Sequence, residues 1–299
     1  MYTNMEEKPT HIVLGPGGVK GFYMLGTLHK LYDVGYLSEV KRYSGSSVGA
    51  IISLLMVCGY SPVEILTVGA DARIFQGFFQ VDVADRISEM RSNFGITSNI
   101  AIRNKLSDAV ISKLGMVPTL KQLYMMTGID FVTTSYNITK SKPVRFNHLS
   151  HPNMSAITAV LFSANIPLLF YKLVYEEDTY IDGGFCDPMP IGEDDDRTLG
   201  IYVQVSASGQ VNNSLSELTH YMQAIVASPI QCLRDIIIRN SGNNCKFIGI
   251  SSRVVDTTGV SLTEVDKAAM VIDGVRAAEK YLFDTSNKIT KYSPDTETQ

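Results

Sequence analysis

Hydrophobic and polar positions along the chain predict short strands that alternate with helices. A short apolar run at residues 11–14 is followed by a glycine-rich turn and by apolar residues at helical spacing: Met24, Leu25, Leu28, Leu31 and Tyr32. A second short strand is predicted in "EVKRYSG", residues 39–45. The helix after it, beginning near Val48, is apolar on nearly all sides, which predicts a central and buried position.

The rest of the chain continues this alternation. Strands are predicted in "DFVTTSYN", "LLFYKLVY", "TYI", "LGIYVQVS" and "CKFIGIS", and helices at residues 100–114, 156–162, 215–239 and 262–283. Successive strand–turn–helix units predict an α/β fold with a mainly parallel central sheet. Because no repeat or long linker interrupts the pattern, we expect one domain over residues 10–283, with polar, flexible termini at 1–9 and 284–299.

Composition excludes several classes of protein. With 45% hydrophobic and 19% charged residues, the chain is typical of a globular protein with a large core. Its net charge of −4 argues against a nucleic-acid partner, because phosphate-backbone binding requires a basic face. Four cysteines without a C-x-x-C pair, and a polar N-terminus, favour an intracellular compartment. The longest apolar run, residues 48–58, is too short to span a bilayer, which takes about 20 residues, so only peripheral membrane contact is expected.

The turn between the second strand and the central helix matches a nucleophile motif. Its residues, Gly45-Ser46-Ser47-Val48-Gly49, fit G-x-S-x-G, in which a serine occupies the tip of a sharp strand-to-helix turn. Glycine flanks the serine because a side chain there would collide with the neighbouring strand or helix. A strand before the motif and a helix after it favour Ser47 as a nucleophile. The alternative is a glycine turn with a capping serine.

A second glycine-rich turn, "LGPGGVKG" at residues 14–21, is a candidate anion-binding loop. Backbone amides in such a turn are not covered by side chains and point toward one place. A Walker A site requires a glycine just before its lysine and Ser or Thr just after it, whereas Val19 and Gly21 flank Lys20. The dinucleotide motif G-x-G-x-x-G fails as well. An oxyanion-binding loop and a simple strand–helix turn remain as interpretations.

A reactive serine needs a base, and the histidines are weak candidates. His11 lies in the first strand and His29 in the first helix, so both are expected to be structural. His148 and His151 flank a loop and are expected to be solvated. His220 lies inside a predicted helix, whereas a catalytic histidine usually projects from a loop.

Asp182 is a stronger candidate for the base. It ends a predicted strand and is followed by Gly183 and Gly184, which let the backbone turn tightly and direct the carboxylate into a cleft. Partial desolvation raises the pKa of such a carboxyl toward the working range of a general base. The alternative is an Asp-Gly β-turn without a chemical role.

In this order, the three segments resemble the patatin-like phospholipase family. That family has a glycine-rich loop ending in x-[KR]-G, then G-x-S-x-G, then D-G-[AG]; the matching residues here are 17–21, 45–49 and 182–184. The segments "FVTTSYNITKSKPVRFN" and "SAITAVLFSANIPLLFYKLVYEEDTYIDGGFCDPMPI" resemble the family as well, so the resemblance covers about residues 10–206.

The resemblance implies a three-layer α/β/α fold and a catalytic dyad of Ser47 and Asp182. It also implies supporting roles for the glycine-rich loop: oxyanion binding by the amides of Gly17 and Gly18, and loop support by Lys20 and Gly21. Family members hydrolyse acyl esters of phospholipids and other lipids, so a lipid substrate is expected, with no metal and no cofactor. Pro16 replaces the family's first glycine and has no N–H to donate.

Two other functions stay open. One is an α/β-hydrolase esterase with a Ser47, Asp182 and His220 triad, because these residues occur in the order Ser…Asp…His. The other is a catalytically weak lipid-binding homologue, which Pro16 favours.

Two further segments have a distinctive composition. The segment "RIFQGFFQVDV", residues 73–83, either contacts lipid or packs over the sheet. The segment "GEDDDR", residues 192–197, lacks the ligand spacing of a calcium loop.

Overall fold

The computed structural model describes residues 7–71, 87–192, 197–205, 215–252 and 262–291. The strands in these ranges are β1 (His11–Leu14), β2 (Arg42–Gly45), β3 (Gly95–Thr97), β4 (Asp130–Asn137), β5 (Lys142–Phe146), β6 (Leu168–Phe170), β7 (Leu173–Tyr175), β8 (Asp178–Asp182), β9 (Thr198–Val205) and β10 (Cys245–Ser252). The helices are α1 (Gly21–Asp33), α2 (Val48–Val57), α3 (Pro62–Asp71), α4 (Ile87–Asn93), α5 (Ile100–Leu114), α6 (Leu120–Thr127), α7 (Ala156–Ser163), α8 (Leu215–Asn240) and α9 (Glu264–Lys291). Short 3-10 turns follow β1 at Gly18–Lys20 and β8 at Gly183–Phe185.

Within the described ranges, the central sheet has eight strands in the order β10-β9-β1-β2-β4-β8-β7, with β5 also paired to β4. Strands β10, β9, β1, β2 and β4 are parallel to one another. The pairs β4–β5, β4–β8 and β7–β8 are antiparallel. The predicted α/β class with a mainly parallel central sheet is therefore confirmed.

Helices cover both faces of this sheet. The connections β1–α1–β2 and β2–α2–β4 step across the sheet in one direction, whereas β9–α8–β10 steps in the opposite direction. Since crossovers between parallel strands are right-handed, α1 and α2 lie on one face and α8 lies on the other. This arrangement makes the three layers that the resemblance implies.

Helix α2 forms the centre of the core. All ten of its residues are buried, because α2 packs on β1, β2 and β4 and also contacts α7. A helix in this position has no polar face, which explains its apolar sequence. On the same face α1 packs closely on α9, where a Cβ added to Gly274 would overlap the carbonyl oxygen of Tyr23.

The prediction of one strand in "LLFYKLVY" is wrong. The segment forms two strands, β6 and β7, in different sheets: β6 pairs in parallel with β3, while β7 pairs with β8 of the central sheet. The chain changes sheets because the Tyr171 and Lys172 amides donate to the carbonyls of Thr97 and Asn93, next to β3. At the other end of the chain, α9 continues past the predicted helix end at residue 283 to Lys291.

Two segments singled out in the sequence lie wholly or partly outside the described residues. All of 73–83, "RIFQGFFQVDV", falls in the range 72–86, and most of "GEDDDR" falls at 193–196. Within the described ranges, none of the helices combines the length and the apolar character that crossing a membrane requires.

Candidate active site

Ser47 lies at the tip of the turn between β2 and α2. Its backbone, with φ 58° and ψ −125°, is in a region that non-glycine residues rarely adopt and that is typical of a nucleophile elbow. Glycines let the turn close: a Cβ on Gly45 would overlap the backbone of Gly49, and a Cβ on Gly49 would overlap the carbonyl of Leu14. Because Gly45 and Gly49 lack side chains, the turn can close tightly and pack against β1.

The register of β4 brings the ends of β2 and β8 together. Strand β2 pairs in parallel with residues 130–133 of β4, and β8 pairs in antiparallel orientation with residues 135–137. Because β5 occupies the other edge of β4 along residues 133–137, β2 and β8 share the remaining edge. Their carboxyl ends face each other, since Gly45 pairs with Thr133 and Asp182 pairs with Ser135.

The Asp182 carboxyl is 2% exposed and only partly hydrogen-bonded. Its Oδ1 accepts a hydrogen bond from the Gly184 amide at 2.7 Å, whereas Oδ2 has no hydrogen-bond partner of ordinary geometry among the described residues. Burial raises the pKa of Asp182 to about 7, because desolvation disfavours the carboxylate; hydrogen bonding from the Ser47 hydroxyl and the Gly184 amide offsets part of this. The Ser47 contact is therefore longer or less well aligned than an ordinary hydrogen bond, as is common before substrate binds.

The loop after β1 presents backbone amides. Gly17 and Gly18, the latter at φ 55°, precede α1, and neither amide donates to an acceptor within the described part of the protein. The buried Lys20 ends the 3-10 turn. In contrast, the Ser47 amide donates to the Ser163 hydroxyl at 3.0 Å. The first amide of α2, that of Val48, has no acceptor among the described residues, and it lies at the positive end of the helix dipole.

The three predicted segments meet at the carboxyl edge of the sheet. The Ser46 amide, in the elbow, donates to the Leu14 carbonyl of β1 at 3.1 Å. Pro16 lies next to the turn after β8, since a Cβ added to Gly184 would be 3.4 Å from the Pro16 Cβ. Gly183 packs against the backbone of Thr134 in β4, where a side chain would not fit. The glycine-rich loop, the elbow and the Asp182 turn are therefore neighbours at the carboxyl edge of the sheet.

The expectation that His148 is solvated is wrong, whereas His151 is half-buried. His148 is not solvated: its Nδ1 lies 2.9 Å from Oδ1 of Asp130, and its ring stacks on Tyr124 at 3.9 Å between centroids. His151 packs against the Phe146 ring at 4.7 Å, and burial lowers its pKa. The polar sequence around these two residues does not reveal their ring contacts.

The other histidines are held within secondary structure. His11 is buried in β1, with Nε2 2.6 Å from the Ser44 hydroxyl, which agrees with the structural role expected of it. His29 lies in α1, and the backbone of His220 lies in α8. None of the histidines whose side chains the structure describes hydrogen-bonds Ser47 or Asp182.

Residues at the carboxyl end of α7 also belong to the site, although no motif in the sequence identifies them. Besides Ser163, which binds the Ser47 amide, Asn165 accepts the Asp182 amide on its carbonyl at 2.9 Å. Both lie in "SANIP", and Ser163 is 116 positions from its partner. The only available signal was the resemblance of that segment to the family.

No cluster of three or more His, Cys, Asp or Glu side chains suited to a metal ion occurs among the described residues. A cavity of about 440 Å³ lies away from Ser47, lined by residues that include Pro9, Thr198 and Lys246. These residues lie at the amino ends of β1, β9 and β10. The cavity is thus at the opposite edge of the sheet from the elbow and forms no part of this site.

Comparison with known sequences gives a consistent picture. A family model described as "Patatin-like phospholipase" matches residues 12–195. "Probable lipid hydrolase 463L" of Invertebrate iridescent virus 6 is 28% identical over 191 residues, which are 60% of this chain and 61% of that protein. "Uncharacterized protein R571" of Acanthamoeba polyphaga mimivirus is 26% identical over 302 residues, covering 96% of this chain and 94% of that protein. The match therefore spans less than two thirds of the first relative and nearly all of the second.

Solved structures share the fold. VipD from Legionella pneumophila superposes with a TM-score of 0.60 at 17% identity, covering 94% of this chain and 68% of that one. ExoU from Pseudomonas aeruginosa, in complex with SpcU, gives a TM-score of 0.55 at 17% identity, covering 94% and 53%. Human GIVD cytosolic phospholipase A2, in complex with methyl gamma-linolenyl fluorophosphonate, gives 0.50 at 10% identity, covering 95% and 58%.

Replacing the buried carboxyl is expected to stabilise the protein at alkaline pH. The pKa of Asp182, about 7 in the folded chain, lies above the value near 3.9 of an unfolded aspartate. Between these values the folded state binds more protons, so the free energy of unfolding falls as pH rises. Asp182→Asn removes this pH dependence. The free energy of unfolding of the variant, minus that of the unmodified protein, is therefore expected to rise by about 3 kcal/mol between pH 5 and pH 8.

Urea unfolding at both pH values measures this difference. Asp178→Asn is the matched control, because Lys140 lowers the pKa of that buried carboxyl. The change that this substitution causes in the free energy of unfolding is expected to be equal at pH 5 and pH 8. An Asp182→Asn effect that is the same at the two pH values would contradict a raised pKa.

Proposed function

Because this chain belongs to the patatin-like phospholipase family, we propose that it is a lipid acyl hydrolase whose reacting groups are Ser47 and Asp182. The observation that carries the proposal is the end-to-end approach of β2 and β8, which sets an elbow serine beside a dry carboxyl with a pKa near 7. A carboxyl with this pKa exchanges protons near neutral pH, as a general base must. "Probable lipid hydrolase 463L", among the relatives, also supports a lipid ester as substrate.

Acylation is the first step of the proposed mechanism. Asp182 takes the hydroxyl proton while Ser47 Oγ attacks the ester carbonyl carbon, and the carbonyl electron pair moves onto oxygen. The amides of Gly17 and Gly18 donate to this oxyanion. As the oxyanion collapses, the ester C–O bond breaks, and the departing alcohol takes the proton from Asp182. The product is an acyl group on Ser47 Oγ.

Deacylation reverses these roles with water as the nucleophile. Asp182 takes a proton from water, whose oxygen attacks the acyl carbon, and the intermediate expels Ser47 Oγ, which recovers the proton. A fatty acid leaves, and the protein returns to its starting state. No step requires a metal or a cofactor. Lys20 and Gly21 support the loop, Gly45 and Gly49 the elbow, and Gly183 and Gly184 the turn that directs the carboxyl.

Pro16 does not remove the proposed oxyanion hole. Proline has no N–H to donate, but the amides of Gly17 and Gly18 follow it and have no acceptor among the described residues. The Val48 amide, at the start of α2, is a third donor next to Ser47. Contact between Pro16 and Gly184 instead supports the packing of the glycine-rich loop against the Asp182 turn.

Loss of either reacting group is expected to abolish hydrolysis. Ser47→Ala and Asp182→Asn should each lower kcat/KM for a phospholipid by about a thousandfold or more, because the two groups act as one unit. Mass analysis of the products released from mixed phospholipid vesicles measures this and identifies the bond cleaved. Ser53→Ala and Asp178→Asn are the matched controls, since both side chains are buried and lie outside the proposed centre.

The same assay separates an enzyme from a catalytically weak lipid-binding homologue. The rate is expected to rise with pH through an apparent pKa of about 7, since Asp182 must be ionised to accept the proton. A fluorophosphonate probe is expected to label Ser47. Unchanged hydrolysis in both variants would refute the dyad, and a wild-type chain that neither hydrolyses lipid nor reacts with the probe would favour the lipid-binding alternative.

His220→Ala distinguishes the dyad from a Ser47, Asp182 and His220 triad. The dyad predicts turnover within about twofold of the unmodified protein, whereas loss of a triad histidine costs several orders of magnitude. Steady-state kinetics with one lipid substrate measure the difference, with Ser47→Ala as the inactive reference. A drop approaching that reference would establish the triad.

We also propose peripheral membrane contact through an edge formed by two exposed apolar side chains, Phe94 and Leu168, and the cation of Lys172. Phe94 is 62% and Leu168 50% exposed, and both have left-handed backbones, which are unusual for large apolar residues. Lys172 Nζ lies 5.5 Å from the Phe94 ring, so the edge carries a cation beside apolar groups, as an anionic lipid surface requires. Leu168 follows Asn165 by three residues, so their Cα atoms are at most about 11 Å apart, and the Asn165 carbonyl accepts the Asp182 amide.

Vesicle binding tests this edge independently of catalysis. In Ser47→Ala protein, Phe94→Asn with Leu168→Asn is expected to weaken co-sedimentation with phosphatidylserine-containing vesicles by about tenfold, since asparagine keeps the left-handed backbone but removes the apolar groups. Met125→Asn with Leu149→Asn is the matched control, because both residues are exposed and lie outside β3 and β6, in α6 and in the loop after β5. Equal vesicle binding by the two double variants would remove the edge from the proposal.

A further inference from the structure

The carboxyl-terminal turn of α7 binds the backbones of both proposed reacting residues. The hydroxyl of Ser163, a fully buried side chain, accepts the Ser47 amide at 3.0 Å. Two residues later, the Asn165 carbonyl accepts the Asp182 amide at 2.9 Å. One short segment therefore contacts the nucleophile turn and the end of β8 together.

Further hydrogen bonds attach the same turn to β8. The Asn165 side-chain amide donates to the Tyr180 carbonyl at 3.0 Å, and Asn165 is 3% exposed. On β4, the Ser135 hydroxyl lies 2.6 Å from the Ile181 carbonyl and 3.4 Å from the Phe162 carbonyl. The end of β8 is thus held from two sides, by β4 and by the α7 turn.

The turn limits the separation of the two reacting residues. Ser163 and Asn165 are two positions apart, so their Cα atoms are at most about 7 Å apart even in an extended chain. Ser47 has a left-handed backbone that a non-glycine residue holds only when its surroundings impose it. The Ser163 hydroxyl is the partner that satisfies the buried amide of this strained residue, and without it the elbow can relax away from Asp182.

We propose that Ser163 is a positioning residue for the reaction: it fixes the Ser47 elbow at the distance from Asp182 that proton transfer needs. This inference rests on the proposed function, in which these two residues react. The Ser163 hydroxyl orients the elbow and does not itself touch the substrate, because its partner is a backbone amide. It also excludes the Ser47 amide from the oxyanion hole, because that N–H is already donated.

Ser163→Ala tests the proposal through a separation of kcat from KM. A small displacement of a reacting atom slows chemistry by up to about a hundredfold, so kcat is expected to fall ten- to hundredfold while KM stays within about twofold. Labelling of Ser47 by a fluorophosphonate is expected to slow by a similar factor. Ser163→Thr keeps the hydroxyl acceptor and is expected to recover most of the lost rate.

Ser53→Ala is the matched control, since it also deletes a fully buried serine hydroxyl, one that donates to the Ser44 carbonyl at 3.2 Å. Thermal unfolding of all three variants separates misfolding from displacement. Hydrogen exchange of the peptide that contains Ser47 is expected to accelerate in Ser163→Ala and not in Ser53→Ala, whatever the activity. Wild-type kcat in Ser163→Ala, or a loss equal to that in Ser53→Ala, would overturn the positioning role.

The controls keep this proposal distinct from the proposed function. A wild-type chain without hydrolysis or probe labelling overturns the hydrolase and, with it, the role of Ser163 in catalysis. A wild-type chain that hydrolyses lipid while Ser163→Ala does so equally well overturns the positioning role alone.

Discussion

The meeting of β2 and β8 on one edge of β4 is the constraint on which the candidate site depends. The two strands do not pair with each other, but both are hydrogen-bonded to β4. Their registers place the carboxyl end of β2 next to the carboxyl end of β8. A change of register by one residue would turn every side chain of β8 to the other face of the sheet. The geometry around Ser47 and Asp182 is therefore a property of the sheet as a whole.

The interior of the sheet gives the Asp182 carboxyl its chemical character. The same burial that raises the pKa of this group leaves one of its oxygens without an ordinary hydrogen-bond partner among the described residues. Buried polar atoms are usually satisfied in folded proteins, and exceptions commonly mark a functional position. The strained backbone of Ser47 is a second departure from the most stable arrangement, at the same place. Two destabilising features side by side support the proposed roles of Ser47 and Asp182.

Local patterns predicted those parts of the fold and site whose causes are local. The buried character of α2 follows from its apolar sequence, and the glycines at 45 and 49 follow from the tight turn that they form. Proximity of Ser47 to Asp182 depends on the pairing of β4, so the motifs predicted it only through the resemblance to a family. Contacts made over long separations, such as Ser163 with the Ser47 amide and His148 with Asp130, had no signal in sequence pattern. The division of residues 168–175 between two sheets also depended on distant amide partners.

The elements that join the two halves of the site, β4 and α7, lie within the chain that separates them. Loops elsewhere in that interval, such as the one between β5 and α7, contribute none of the hydrogen bonds that connect the Ser47 elbow to the end of β8. A change in the length or sequence of such a loop is therefore expected to leave the Ser47 elbow and the Asp182 turn in the same relative position.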